Sequence, residues 1–285
     1  MKQVETSLRG EGLARQTTRF LFWNLGKKDL RPLLNRAVRE NDVDIVILAE
    51  CTNRPEEILS GLNQDVTRFH YTFGVCESIG ICTAFSGNFI RPVREGSRFT
   101  MRRIRLPLRE EILLVAAHLP SKLHWGDKDQ EQEVISLADD IRSVEAKRKH
   151  RRTVLVGDFN MQPFEDGMTG AKGLHGVMSR EVASRRSRIV QEREYPYFYN
   201  PMWSMMGDLS HGPPGSYFYE SARHVEHYWW MFDQVLIRPE LVNNNRNDGF
   251  RFLTMIGEES LVDGKGRPDS KVGSDHLPLY FEVDF

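Results

Sequence analysis

Seven short apolar runs punctuate the chain: RFLFWN (19–24), VDIVILAE (43–50), GICTAF (80–85), EILLVAAH (111–118), TVLVGDFN (153–160), FDQVLI (232–237) and LPLYFEV (277–283). Each has the length of a strand and is rich in Val, Ile, Leu or Phe, so each predicts a buried β-strand. Between the first two, Leu30, Leu33, Leu34, Ala37 and Val38 recur at helical spacing, with Asp29 as the expected N-cap and Asn41 at the C-cap. A second amphipathic helix carries Val134, Ile135, Leu137, Ala138, Ile141 and Val144 on one face and Glu, Asp and Arg on the other. It links the 111–118 strand to the 153–157 strand. A weaker helical pattern covers about residues 177–192, and the aromatic stretch YPYFYNPMW after it reads as an ordered connection.

No repeat, low-complexity tract or Pro/Ser-rich linker divides the chain. The expectation is a flexible N-terminal segment over 1–18 and one domain over 19–285. A hydrophobic content of 40%, 28% charged residues and a mean hydropathy of -0.49 suit an ordinary globule with a large core. The first twenty residues lack the apolar stretch of a secretory signal, and no run approaches the length of a membrane span. With Cys51, Cys76 and Cys82 forming no even or closely spaced set, a reducing, cytoplasmic setting is expected.

The net charge of -1 argues against a protein that coats nucleic acid through bulk positive charge. Charge is unevenly spread, however. Seven arginines from Arg91 to Arg109 face a single acid, Glu95, within that run. They could track a phosphate backbone or decorate a solvated strand face. KRKHRR at 147–152 follows the second helix, where cations suit the helix C-terminus.

The chemistry lies where polar residues meet the apolar runs. Asn24, Glu50, His118 and Asp158 follow strands, whereas Asp233 and the pair Asp275/His276 precede them. Antiparallel pairing places strand ends of the first kind beside strand starts of the second, so all can converge at one end of the sheets. Carboxylates, an Asn and two His without a suitably placed Cys suit a hard cation, Mg²⁺ or Mn²⁺. Such a set is equipped for phosphoryl transfer to water.

WNL (23–25), LAE (48–50), AHLPSK (117–122), GDFNMQP (157–163), FDQV (232–235) and GSDHLP (273–278) together resemble the ordered motifs of the endonuclease/exonuclease/phosphatase superfamily, of DNase I-like fold. That resemblance spans residues 19 to 283 and implies an α/β (α+β) fold, a four-layer α/β/β/α sandwich. It implies Glu50 as principal metal ligand, with Asn24 beside it holding the metal shell or phosphate and Asp275 completing the shell. Asp158 would bind or activate water, and Asn160 would fix phosphate or that water. His276 would contact the scissile phosphate, oriented by Asp233, while His118 would bond phosphate or assist the leaving group. Either Asp158 or His276 could take the water proton.

The implied function is a metal-dependent hydrolase of phosphodiester or phosphate-ester bonds, foremost a nuclease acting on nucleic acid. A phosphodiesterase or phosphatase on a small nucleotide or lipid headgroup is the alternative, and a non-catalytic binding protein of the same fold the second. GDFNMQP and MFDQ differ from the GDLNYR and WCDR patterns of inositol polyphosphate 5-phosphatases, which disfavours that branch. One departure concerns the segment after the HL motif: the family commonly has Arg, two residues, then Gln, and here Asp129 stands at that spacing before Gln132. His224 and His227 lack the HExxH order of a zinc helix and read as packing or surface residues. HGPPG (211–215) reads as a turn, and Trp229 and Trp230 either wall the pocket, stack a base or join the core.

Overall fold

The computed structural model describes residues 17–64, 68–123, 125–242 and 249–285. Residues 1–16 of the N-terminal segment set apart above lie outside the described residues, and its last two, Thr17 and Thr18, open the first strand. In chain order the elements begin with β1 (Thr17–Asn24), α1 (Arg31–Glu40), β2 (Ile45–Ala49), α2 (Pro55–Leu62), β3 (His70–Tyr71) and β4 (Ile79–Thr83). Next come β5 (Ile90–Glu95), β6 (Phe99–Ile104), β7 (Ile112–His118), α3 (Asp127–Arg148) and β8 (Thr153–Asp158). A more irregular stretch holds α4 (Asp166–Thr169), β9 (Gly176–Val177), α5 (Arg180–Ser184), β10 (Ser187–Val190), β11 (Arg193–Pro196) and β12 (Phe198–Tyr199). The chain closes with β13 (Tyr217–Phe218), β14 (Trp229–Trp230), β15 (Asp233–Ile237), α6 (Pro239–Val242), β16 (Phe250–Phe252), β17 (Met255–Ile256), β18 (Glu259–Ser260) and β19 (Leu279–Asp284).

Two mixed sheets result, ordered β16-β19-β1-β2-β4-β3 and β5-β6-β7-β8-β15-β12-β9. β1 runs parallel to β2 and β7 parallel to β8. A parallel pair needs a crossover, and α1 and α3 supply them. Alternation along β7 sorts its side chains. Ile112, Leu114 and Ala116 join the core shared with the first sheet, while Leu113, Val115 and Ala117 pack with Val134, Leu137 and Ile141 of α3. Leu34, Ala37 and Val38 of α1 and Ile58 of α2 belong to the first core. The architecture is mixed α/β, two sheets with helices packed on them, as the resemblance implied. Among the described residues, no helix is long and apolar enough to cross a membrane.

All seven predicted strands form within two residues of the expected bounds at their starts and ends. Three details differ. The N-cap position falls on Leu30 rather than Asp29, although Asp29 Oδ1 still accepts the backbone N–H of Arg31 at 3.3 Å as well as its Nε at 2.8 Å. The helical pattern over 177–192 forms only α5, five residues long. Left-handed Arg186 ends that turn, and left-handed Gln191 and Glu192 make the tight connection of the β10–β11 hairpin, where Ile189 and Val190 favour extended backbone. The aromatic connection is partly regular, contributing β12 and a 3₁₀ turn at 201–205.

The Arg91–Arg109 run is not one cationic face. Arg102 is buried and bonded to Glu95 at 2.9 Å and to the Phe73 carbonyl at 2.9 Å. Arg94 pairs with Asp140, Arg103 with Glu111, and Arg109 donates to Thr18.

Candidate active site

Register builds the centre of the site. His118 and Asp158 are partners in the parallel β7–β8 pair, and Asp158 and Asp233 are partners in the antiparallel β8–β15 pair. These three therefore stand in one row across adjacent strands. They share parity with Ala116, Val156 and Val235, whose side chains face the first sheet. From that opposite sheet Asn24, the last residue of β1, donates through Nδ2 to Asp158 Oδ2 at 2.9 Å. The site thus lies between the sheets at one end, as the strand-end pattern led us to expect.

Asp158 is almost wholly buried and accepts a second bond on Oδ1, from the Asn160 backbone N–H at 2.9 Å. Asn160 sits in the left-handed region at φ 51°, and its Nδ2 donates to the Leu119 carbonyl at 3.0 Å. Glu50 follows β2, also left-handed at φ 47°. Its Oε1 lies 3.5 Å from His118 Nε2, and Asp158 Oδ2 lies 3.7 Å from the same nitrogen. One imidazole edge therefore faces two carboxylates.

His276 is held from three sides. Its Nδ1 lies 2.7 Å from Asp233 Oδ2, its Nε2 lies 4.0 Å from Asp158 Oδ2, and its carbonyl accepts from the Trp23 indole at 2.9 Å. Burial alone would lower the imidazole pKa, but the charges of Asp233 and Asp158 outweigh it and push the value up to about 10. Burial in turn pushes Asp233 up, opposed by the charge of His276. We read the pair as an imidazolium bound to a carboxylate, with Nδ1–H donating to Asp233. The other Asp233 oxygen, Oδ1, is buried, and among the described residues no hydrogen-bond partner is placed on it.

Asp275 lies beside the turn that follows β1. Gly26, at φ 56°, lets it approach: a Cβ there would stand 2.9 Å from Asp275 Oδ1. The same turn sends the Gly26 N–H to Asn24 Oδ1 at 3.0 Å and the Lys27 N–H to the Glu50 carbonyl at 3.0 Å. Asn24, Glu50 and Asp275 are thereby tied to one loop. The compact set of acid and imidazole atoms is nevertheless Asp158, Asp233 and His276, whose ligand atoms lie within 4.8 Å of one another.

Several contributors carry no strand-end signal. Ser216 accepts the Asp233 N–H on Oγ at 3.1 Å, and Tyr217 bridges His276 along the backbone with rings 4.8 Å apart. Burial and the charge of Asp275 push the Tyr217 phenol up. Phe232 and Trp230 extend this wall outward, their rings 5.2 Å apart, while Trp230 also meets His227 edge-on at 5.1 Å. The glutamine expected at 132 is exposed. Gln130 is the buried one, donating to the carbonyls of Pro120 at 2.7 Å and Asn160 at 3.3 Å, so it braces the loops after β7 and β8 against each other.

Comparison with known proteins bears on the fold and the family. The family model "Endonuclease/Exonuclease/phosphatase family" matches residues 18–276. Truncated TDP2 of Caenorhabditis elegans is 17% identical with a TM-score of 0.51, covering 94% of this chain and 98% of its own. The human Nocturnin catalytic domain is 13% identical with a TM-score of 0.55, covering 95% and 97%. The endonuclease domain of TRAS1, a telomere-specific non-LTR retrotransposon, is 15% identical with a TM-score of 0.51, covering 94% and 99%. No curated protein matches the chain. At these identities the structures speak for the fold, and the family match over most of the sequence speaks for kinship: the chain belongs to the endonuclease/exonuclease/phosphatase family.

Proposed function

We propose that this protein hydrolyses phosphodiester bonds of nucleic acid with the help of a divalent cation. The observation that carries the reading is the buried Asp233–His276 pair aimed at Asp158. Asp233 fixes the imidazole ring, so that Nε2–H faces the space beside Asp158 where a phosphate would sit. A cationic imidazolium there stabilises charge developing on phosphate oxygens. Because it is already protonated, it is unsuited to take a proton from water. Asp158, locked by Asn24 and the Asn160 N–H, is the better candidate to orient and deprotonate the attacking water. His118, on the other side of Asp158, is placed to bond phosphate or assist the leaving oxygen, and Asn160 to fix the phosphate.

The donor set fits Mg²⁺ or Mn²⁺. Glu50 and Asp158 converge on one imidazole edge, and such like charges sit together most readily with a cation nearby. Glu50 would be the principal ligand, with Asn24 and Asp275 beside it. Bound there, the cation would neutralise phosphate oxygens.

Two features favour nucleic acid. A solved relative, TDP2 of D. rerio, is complexed with a single-strand DNA product. Here, Tyr217, Phe232 and Trp230 form an aromatic wall leading out from His276, a surface on which unpaired bases can stack. The paired arginines of 91–109 add little to this.

The test is hydrolysis of single- and double-stranded DNA, an abasic duplex, RNA and bis-p-nitrophenyl phosphate, with Mg²⁺, Mn²⁺ or EDTA, by parent and His276→Ala proteins. Cleavage of a polymer only with metal and only by the parent is expected. Cleavage of the small ester alone would replace nucleic acid by a small phosphodiester, and no cleavage at all would leave a binding protein.

A further inference from the structure

Two basic stretches unused by this chemistry meet at the other end of the molecule. Residues 142–152 hold six Lys or Arg and one Glu, and residues 180–193 hold five Arg and two Glu. After α3 and α5 the chain turns through left-handed residues, Lys149 at φ 59° and Arg186 at φ 69°. Both line an open cavity of about 660 Å³. Arg151, also in its wall, stands just before β8, whereas Asp158 closes that strand. At ~3.3 Å per strand residue, the cavity is about 20 Å from the catalytic end.

The state of its charges points to a ligand. Arg142 is engaged by Asp139 at 2.8 Å and Arg185 by Glu181 at 2.8 Å. Arg151 reaches Glu194 only at 3.9 Å. Lys149 and Arg186 have no side-chain hydrogen bond or ion pair among the described residues. Nor is Lys149 needed to close the α3 dipole, since Lys147 and Arg148 already occupy the last turn. The acids of the wall are mostly committed: Glu145 receives Arg238 at 2.8 and 3.1 Å, and Glu194 receives Ser187 at 2.6 Å. Glu240 also lines the wall, but its Oε2 is buried away from the open space, without a hydrogen-bond partner among the described residues.

We propose that this cavity is a second binding site, for a ligand that carries a phosphate group. Lys149, Arg186 and Arg151 hold the phosphate. Free nucleotides and nucleic-acid strands share that chemistry. The strand would be gripped far from the point of cleavage, the nucleotide would bind independently of it.

Equilibrium binding of ADP, pyrophosphate and a short single-stranded oligonucleotide to the full chain, at low and at physiological salt, tests this. The variants are Lys149→Gly/Arg186→Gly and His276→Ala. Glycine relaxes both left-handed positions, so the double variant folds. It should bind at least about tenfold more weakly than the parent, consistent with loss of two charge-assisted contacts, while hydrolysing bis-p-nitrophenyl phosphate as the parent does. His276→Ala should bind as the parent does. This pattern with ADP identifies a nucleotide site, and the pattern with the oligonucleotide alone identifies a strand anchor. If the parent binds none of the three, or the double variant binds as tightly as the parent, the site does not exist.

Discussion

Asp233 is wholly buried and shares one oxygen with His276, while the other has no hydrogen-bond partner placed on it among the described residues. Its pairing with the imidazole has a definite sign in pH. The His276 pKa, raised from 6.5 to about 10, means that the folded state holds its proton more tightly than the unfolded chain. The pair's contribution to stability is therefore complete below pH 6.5 and is lost as pH rises through 10. Urea titrations of the parent and Asp233→Asn should show a stability gap that narrows across this interval. A gap independent of pH would refute the ion pair. The same substitution should lower activity on the order of 10²- to 10⁴-fold, because the ring loses its orientation and charge.

The parallel β7–β8 pair shows how an element sets the site. In GDFN, the glycine is demanded by packing: a Cβ on Gly157 would lie 2.0 Å from the Ala117 carbonyl oxygen. Gly157→Ala should cost about 1–3 kcal/mol by denaturant melts. It should also depress activity further than stability, since His118 and Asp158 follow directly in the same register. At the opposite end of β15, Arg238 binds Glu145 of α3 and the carbonyls of Pro196 and Tyr197, all buried. Arg238→Ala strands the Glu145 carboxylate and should cost about 3–5 kcal/mol, read from the same melts. Strands whose apolar runs fill both faces were legible in the sequence, as was α3, whose buried apolar face recurs from Val134 to Val144. β5 and β6 were not, because their arginines look solvated until Glu95 and the Phe73 carbonyl are brought to Arg102. Ser216 and Tyr217 were equally hidden, since β13 has only two residues and no periodicity.

Across the whole molecule, a net charge of -1 conceals two unlike ends, one collecting carboxylates and histidines and the other collecting lysine and arginine. Convergence of the first set was readable from strand ends. Meeting of the second depends on a hairpin that the helical pattern over 177–192 obscured. If Glu50 holds a divalent cation, the folded state alone gains from the ion. At a hundredfold excess over Kd the gain is about 2.7 kcal/mol. Mg²⁺ should then raise the Tm of the parent and not that of Glu50→Gln; equal shifts would move the ion elsewhere. Glu50 also stands at φ 47°, a backbone state that L side chains occupy at a cost of roughly 1–2 kcal/mol and glycine does not. Glu50→Gly should accordingly melt higher while losing its activity. Under selection for endurance alone, glycine would be the better residue there. On the proposed role, binding of the cation is what would set a glutamate there against its own backbone preference.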